Sequence, residues 1–149
     1  MRRYMRGVAA VEFGFLLIPL VMLAFGITEF GRAIYTYNTL TKAVRDAARY
    51  MTSKAPGDAT EHAIAKCMAV FGSPVCSGQA LAPGLATTMV RTCDAILTCP
   101  GVENTVLTGS GTINTVTVMI TGYPYDSFVE YVMPDITFGN IAVTMRSQL

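Results

Sequence analysis

Near its N-terminus the chain has a long apolar segment that contains one charged residue. Between Val8 and Thr28 the only ionisable side chain is that of Glu12. At ~1.5 Å per residue, a helix over this segment is about 30 Å long, the thickness of the hydrocarbon core of a bilayer. The pattern therefore predicts a membrane-spanning helix over residues 8–28. No second apolar run in the sequence has that length.

A second pattern begins directly after the predicted span. Apolar residues recur there at steps of three and four, while charged residues occupy the other faces, as in an amphipathic helix. We therefore expect the span to continue without a break as a stem over residues 29–53. Pro19 lies inside the span and is expected to kink the helix, because it removes one backbone hydrogen bond. The apolar stem residues are Phe30, Ile34, Tyr37, Leu40, Val44, Ala47, Ala48 and Met51.

The stem pattern ends at "SKAPGD", residues 53–58, where proline and glycine favour a turn. Asp58 is a good N-cap residue and Glu61 follows three positions later, so a short helix is expected to begin there. Farther along, the sequence predicts a helix over residues 85–97 and a strand over residues 102–107. Both lie in a region rich in glycine, proline, serine and threonine.

Two C-terminal segments, residues 115–121 and 140–146, alternate apolar and polar side chains, which is typical of half-buried β-strands. The segment between them is too long for a tight hairpin and is expected to form a turn or short helix. Together the patterns predict an α+β fold. A single N-terminal transmembrane helix extends into a long amphipathic stem, which packs against a small antiparallel β-sheet head formed by residues 54–149.

The charges that flank the span predict its orientation. Arg2, Arg3 and Arg6 precede it without any acidic residue. By the positive-inside rule, the first residues stay in the cytoplasm and the head lies outside the cytoplasmic membrane. Residues 1–7 hold three of the 11 basic side chains and none of the 10 acidic ones, so the rest of the chain is slightly acidic. That balance does not favour nucleic-acid binding.

All four cysteines fall in the predicted head. An even number in an oxidising compartment suggests two disulfides, and of the three possible pairings we favour the local one, Cys67–Cys76 with Cys93–Cys99. Reduced thiols buried as small apolar side chains are the alternative. No metal site is expected, because the cysteines form no CxxC pair and His62 is the one histidine beside them.

Glu12 is the chemically unusual residue of the span. A carboxylate at the centre of a bilayer costs ~2.5–3.5 kcal/mol, so it normally has a partner, although one near the edge can reach the headgroups alone. Gly7 ends the basic leader and Glu12 is the fifth residue after it, followed by Phe13. This arrangement resembles the prepilin peptidase site of type IV pilins, and that of the tight-adherence (Flp) class in particular. The resemblance implies cleavage after Gly7, a new N-terminus at Val8, and pairing of Glu12 with the N-terminal amine of a neighbouring subunit.

The resemblance extends beyond the span. Residues 7–51 resemble the N-terminal region of TadE-like pseudopilins, in which the membrane run leads into a Glu-Phe-Gly-Arg segment and an Ala-Arg-rich helix. In this chain the segment consists of Glu29, Phe30, Gly31 and Arg32. From their spacing alone, Glu29 and Arg32 are expected to form a surface ion pair of the helix.

The resemblance implies a minor pilin or pseudopilin that is processed by prepilin peptidase and helps to initiate or assemble a Tad (Flp) pilus used in surface adherence. Its expected partners are the peptidase, other pilins and pseudopilins, Tad inner-membrane assembly proteins and membrane lipid. No cofactor, small-molecule substrate or nucleic acid is expected. The chain would be a single-pass protein of the inner membrane, and its entry into the pilus stays open. A major pilin is less favoured, because major Flp-class subunits are little more than the helix.

A different class of function is also open. Ala24-Phe25-Gly26 fits a small-x-small signal cleavage site, so the product would be a secreted, disulfide-bonded binding domain unrelated to pili, or a membrane-anchored one if uncut. Glu12 argues against this, because it would interrupt the apolar core of a signal peptide. An enzyme is not expected: the sequence has no supported catalytic triad, carboxylate pair or phosphate loop, and His62 is expected to be solvated.

Overall fold

One long helix organises the molecule. The computed structural model describes the backbone of residues 5–148 and the side chains of residues 7–148. Helix α1 runs Met5–Met51 with Pro19 inside it. At ~1.5 Å per residue it is about 70 Å long. The structure confirms one helix that continues from the apolar segment into the stem.

The two halves of α1 have different surroundings. The apolar half is exposed, and none of its most apolar 18-residue window is buried. By length and composition α1 can cross a membrane, which suggests that it anchors the chain there. The second half buries one face against the head, as its spacing of apolar residues predicts. The buried apolar residues of this face are Ala33, Leu40, Ala43, Val44, Ala47, Ala48 and Met51.

A second helix, α2, spans Ala59–Phe71 and packs against α1. The Asp58 side chain accepts hydrogen bonds from the N–H groups of Thr60 and Glu61 and so caps the helix. Gly72 ends it with a φ of +69°, a left-handed conformation that glycine adopts without strain. The predicted N-cap at Asp58 is confirmed, while the Glu61 side chain accepts from Tyr50 and Lys54 instead.

The head contains a four-stranded antiparallel sheet around one long strand, β3. The first four residues of β3 form a hairpin with β2, and its second half lies between β1 and β6. Strands β4 and β5 form a separate two-stranded sheet. The strands are β1 Val90–Cys93, β2 Thr105–Thr108, β3 Gly111–Ile120, β4 Pro124–Tyr125, β5 Ile136–Thr137 and β6 Ile141–Arg146.

Strands β3 and β6 pack on the stem half of α1, so the core lies between the sheet and the two helices. The N–H of Gln148 donates to the carbonyl of Thr52 at 2.8 Å, which places the C-terminal end of β6 beside the C-terminal end of the stem. Thr115 is paired with Arg146 at that same end of β6. The β2–β3 hairpin, which extends beyond Thr115, therefore lies at the end of the head farthest from the apolar segment.

Three strand and helix predictions need correction. The helix predicted over residues 85–97 is wrong: a single 3-10 turn at Thr87–Met89 leads into strand β1. Strand β1 contains the β-branched residues Val90 and Thr92. Its pairing with β3 overrides the weak local helical pattern. The strand predicted over residues 102–107 corresponds to β2, which begins and ends later, at Thr105–Thr108. The strand predicted from residue 115 begins earlier, because its first residues pair with β2.

Two disulfides lie in the head. Cys67 of α2 is bonded to Cys76 in the following loop, with their Cα atoms 4.8 Å apart. Cys93 at the end of β1 is bonded to Cys99, with a Cα–Cα distance of 5.6 Å. This is the local pairing favoured from the sequence, and no free cysteine remains in the described chain.

Candidate assembly site

The proposed processing residues lie in the first turns of α1. Gly7, Val8, Glu12 and Phe13 are helical and exposed. Arg2 and Arg3 of the leader fall outside the described residues, as does the side chain of Arg6. Glu12 has no hydrogen bond or ion pair with the rest of the described chain. Its carboxylate therefore lies exposed on the surface of α1.

Glu29 is different, because the residue is only 4% exposed although it lies at the end of the apolar segment. Four donor groups converge on its Oε1 atom. Arg32 donates from Nη2 at 2.6 Å and from Nε at 3.2 Å. The Tyr125 hydroxyl donates at 2.9 Å and the Phe128 N–H at 3.3 Å. Two of these donors belong to the head, so the carboxylate joins the head to the helix.

Arg32 reinforces the same junction. Its Nη2 atom also donates to the backbone carbonyl of Asp126. The guanidinium carbon lies 3.8 Å from the centre of the Phe128 ring and 4.8 Å from that of Tyr125. At these distances the ring faces attract the cation. We call Glu29, Arg32, Tyr125, Asp126 and Phe128 the Glu29 cluster.

Aromatic packing holds the head side of this cluster in place. Phe138 stacks on Tyr125 with ring centres 5.4 Å apart and an interplanar angle of 13°. It also contacts Tyr123 at 5.6 Å and meets Tyr37 of α1 edge-on at 5.7 Å. The N–H of Phe138 donates to the carbonyl of Tyr123. The segment that contains β4 and β5 is thus packed against the stem.

The electrostatics of the Glu29 cluster favour one protonation state. The hydrogen bond from Arg32 lowers the pKa of Glu29; burial opposes this, and the bonds from Tyr125 and Phe128 add to it. Burial raises the pKa of Tyr125 to about 12, helped by the neighbouring carboxylate. At neutral pH Glu29 is therefore an anion that accepts hydrogen bonds, and Tyr125 is a neutral phenol that donates one to it.

These contacts correct the expectation of a surface ion pair. Glu29 and Arg32 face each other at the predicted spacing, but both are bonded to the head, and Glu29 is buried beneath it while Arg32 stays partly exposed. Phe30 and Gly31, between them in sequence, are exposed on the outer side of α1. Within the Glu-Phe-Gly-Arg segment, Glu29 and Arg32 therefore bind the head, while Phe30 and Gly31 lie on the exposed side of the helix.

His62 also differs from the expectation, because it is 5% exposed rather than solvated. Its Nδ1 lies 2.8 Å from the Thr92 hydroxyl and its Nε2 lies 2.8 Å from Asp94 Oδ2. Asp94 also accepts the N–H groups of Gly57 and Leu97 at 2.7 and 2.6 Å. The arrangement ties α2, β1 and two loops together, so we assign it a structural role.

The pKa of Asp94 follows from the same contacts. Burial alone would raise it, but the N–H groups of Gly57 and Leu97, His62 and the N–H of Ile96 together outweigh burial and lower it. Asp94 is thus a buried anion held by donors. Among the described residues there is also no cluster of three or more histidine, cysteine or acidic side chains that could hold a metal ion.

Comparison with known proteins bears on the helical part of the chain. The family model described as TadE-like protein matches residues 7–49. No curated protein and no solved structure matches the chain. The matched segment contains Gly7 and Glu12 as well as the helix side of the Glu29 cluster, and it ends within the stem. Residues 7–49 of this chain are therefore similar to TadE-like proteins, and this similarity suggests association with the Tad pilus.

Proposed function

We propose that the chain is a minor pilin or pseudopilin that is processed by prepilin peptidase and helps to initiate or assemble a Tad pilus. Residues 1–7 form the leader that is removed, and residues 8–28 span the inner membrane. Residues 29–53 form the stem, and residues 54–149 form the extracytoplasmic head. The chain contributes to surface adherence through assembly, and no enzymatic role is proposed for it.

One observation carries this proposal: a single helix is exposed along its apolar half and packs against the head along its other half. An apolar helix about 30 Å long, of whose most apolar window the described part of the chain buries no residue, needs lipid or neighbouring helices around it. A pseudopilin requires both, first in the membrane and then in contact with other subunits. The match to the TadE-like family over residues 7–49 supports the same assignment.

Glu12 gives the proposed assembly its specificity. Cleavage after Gly7 would create an α-amino group on Val8, four residues and about one helical turn from Glu12. A neighbouring subunit carries the same amine. A carboxylate in an apolar setting is stabilised by such a partner, and few wrong registers between helices supply one. We therefore propose that Glu12 pairs with an N-terminal amine and sets the register between subunits.

The test uses a host from which the gene for this chain has been deleted, with Tad pili and surface attachment as readouts. We expect pili to be lost or reduced, and the wild-type chain to restore them. Glu12→Leu should be inserted in the membrane at least as well as the wild type and yet fail to restore pili. The matched control is Val11→Leu, at a neighbouring position that is also exposed, which should restore them.

Three results would contradict the proposal in whole or in part. Normal pili in the deleted strain would remove the role in assembly altogether. Normal pili with Glu12→Leu would leave the role but exclude the pairing of Glu12. A chain that is found without its anchor, beginning at Ile27, would instead support a secreted binding domain.

A further inference from the structure

We propose that the loop formed by residues 126–133 rests on the outer surface of the lipid bilayer, with Phe128 and Tyr131 in the headgroup region. The head would then touch the membrane at a second place besides its anchoring helix. This inference rests on the proposed placement of residues 8–28 in the membrane. It adds a lipid contact to the head, whose binding surfaces the family match does not reach.

The loop reaches down to the level of the span. A Cβ atom added to Gly26 would lie 3.5 Å from Cγ1 of Val132, so the loop is in contact range of the helix at that position. Gly26 lies two residues before the end of the predicted span at Thr28, a distance of about 3 Å along the helix axis. Part of the loop therefore lies level with the boundary of the apolar segment.

The side chains that the loop presents are suited to that boundary. Phe128 is 81% exposed and Tyr131 is 88% exposed, and both are close in sequence to Val132. On the helix, Ile27 and Phe30 are also exposed. Tyrosine is favoured at membrane interfaces because its ring is apolar and its hydroxyl can stay in water. The loop thus continues the apolar surface of α1 outward.

The loop is held at a fixed depth. Its first residues are bonded to the Glu29 cluster through the carbonyl of Asp126 and the N–H of Phe128. The N–H groups of Val132 and Met133 both donate to the carbonyl of Val129, which closes a turn. A rigid turn places its aromatic side chains without the entropy cost of ordering a flexible segment.

Acidic side chains limit how far the loop can enter. Glu130 lies between the exposed residues of the loop and is itself exposed, and so is Asp126 at its start. Carboxylates are costly in hydrocarbon, so the contact stops at the headgroups. The surface that fits is zwitterionic, because an anionic one would repel these carboxylates.

The test uses tryptophan fluorescence, because the chain contains no tryptophan and each variant adds a single reporter. The full chain is placed in phosphatidylcholine vesicles with or without bromine on the acyl chains, which quenches nearby tryptophan. Tyr131→Trp reports on the loop. Phe15→Trp reports on the middle of the span. Leu107→Trp, on β2 and 84% exposed, is the matched control at the far end of the head.

We expect Phe15→Trp to be strongly quenched, Tyr131→Trp to be quenched to an intermediate extent with blue-shifted emission, and Leu107→Trp to be unaffected. If Phe15→Trp is quenched while Tyr131→Trp behaves like Leu107→Trp, this inference is wrong and the membrane anchor stands. If Phe15→Trp is not quenched, the anchor itself fails and the inference with it. Blue-shifted emission of Tyr131→Trp without bromine quenching would assign the loop to a second copy of the chain and also overturn the inference.

Discussion

The hydroxyl of Tyr125 donates a 2.9 Å hydrogen bond to the carboxylate of Glu29 across 96 positions of the sequence. Glu29 lies where the apolar half of α1 ends, and Tyr125 lies on β4 of the head. The bond therefore fixes the orientation of the head to the helix at the point where the chain leaves the proposed membrane span. If Glu12 sets the register between subunits as proposed, this junction holds the head in a fixed position relative to the helix that carries Glu12.

Tyr125→Phe tests this junction with a minimal change. The variant keeps the ring that stacks on Phe138 and removes the hydroxyl alone. We expect the free energy of unfolding of the full chain in detergent to fall by about 1.5–3 kcal/mol, as for other hydrogen bonds to a charged group. Tyr131→Phe, which removes an exposed hydroxyl, should leave stability unchanged. Equal stability of the two variants would mean that the bond to Glu29 does not secure the head.

Stability should also depend on pH through Asp94. Its pKa is lowered in the folded chain from a value of about 3.8, so folding favours the anion. The stabilisation is complete above that value and is lost as the pH falls below about 4 and through the folded pKa. Asp94→Asn should be less stable at pH 7 and should lose this part of the acid dependence.

The measurement for Asp94 is urea unfolding at a series of pH values. Asp46→Asn, at an exposed aspartate on α1, is the control and should keep the acid-dependent loss of the wild type. If Asp94→Asn retained the full pH dependence between pH 2 and 5, another carboxylate would be responsible. The structural role assigned to His62 and Asp94 would then be wrong.

Gly26 offers a test of the contact between loop and helix. A Cβ 3.5 Å from Val132 is in ordinary van der Waals contact, so Gly26→Ala should be tolerated. Gly26→Leu should push the loop away, and the amides of Val132 and Met133 should then exchange their hydrogens faster. Gly31→Leu is the matched control, since a Cβ there meets nothing within 4 Å. Unchanged exchange in Gly26→Leu would mean that the loop does not rest on the helix.

The sequence predicted the elements whose signals are local. The apolar run and the three- and four-residue spacing predicted α1, and Asp58 with Glu61 predicted the start of α2. Alternation predicted β6 and the second half of β3. These patterns come from neighbouring residues on one face of one element, so a single stretch of sequence contains them.

The elements and contacts that were missed depend on distant partners. Strand β1 has four residues and is defined by its pairing with β3, while β4 and β5 have two residues each. Glu29 was expected on the surface because its partners on the head are far away in sequence. His62 was expected to be solvated for the same reason, since Thr92 and Asp94 lie some 30 positions away. Local spacing contains no signal for such contacts.

The processing site tests the central claim most directly. The mature N-terminus is determined by intact mass and peptide mapping of the membrane-bound chain, with and without co-expressed prepilin peptidase. Gly7→Leu and Gly14→Leu are compared, because a Cβ at either position meets nothing within 4 Å and both variants should keep the helix.

We expect the wild type and Gly14→Leu to begin at Val8 only when the peptidase is present, and Gly7→Leu to remain uncut. A start at Val8 would give Glu12 the amine that the assembly proposal requires. A chain that keeps its leader in the presence of active peptidase, or one that begins at Ile27, would contradict the account.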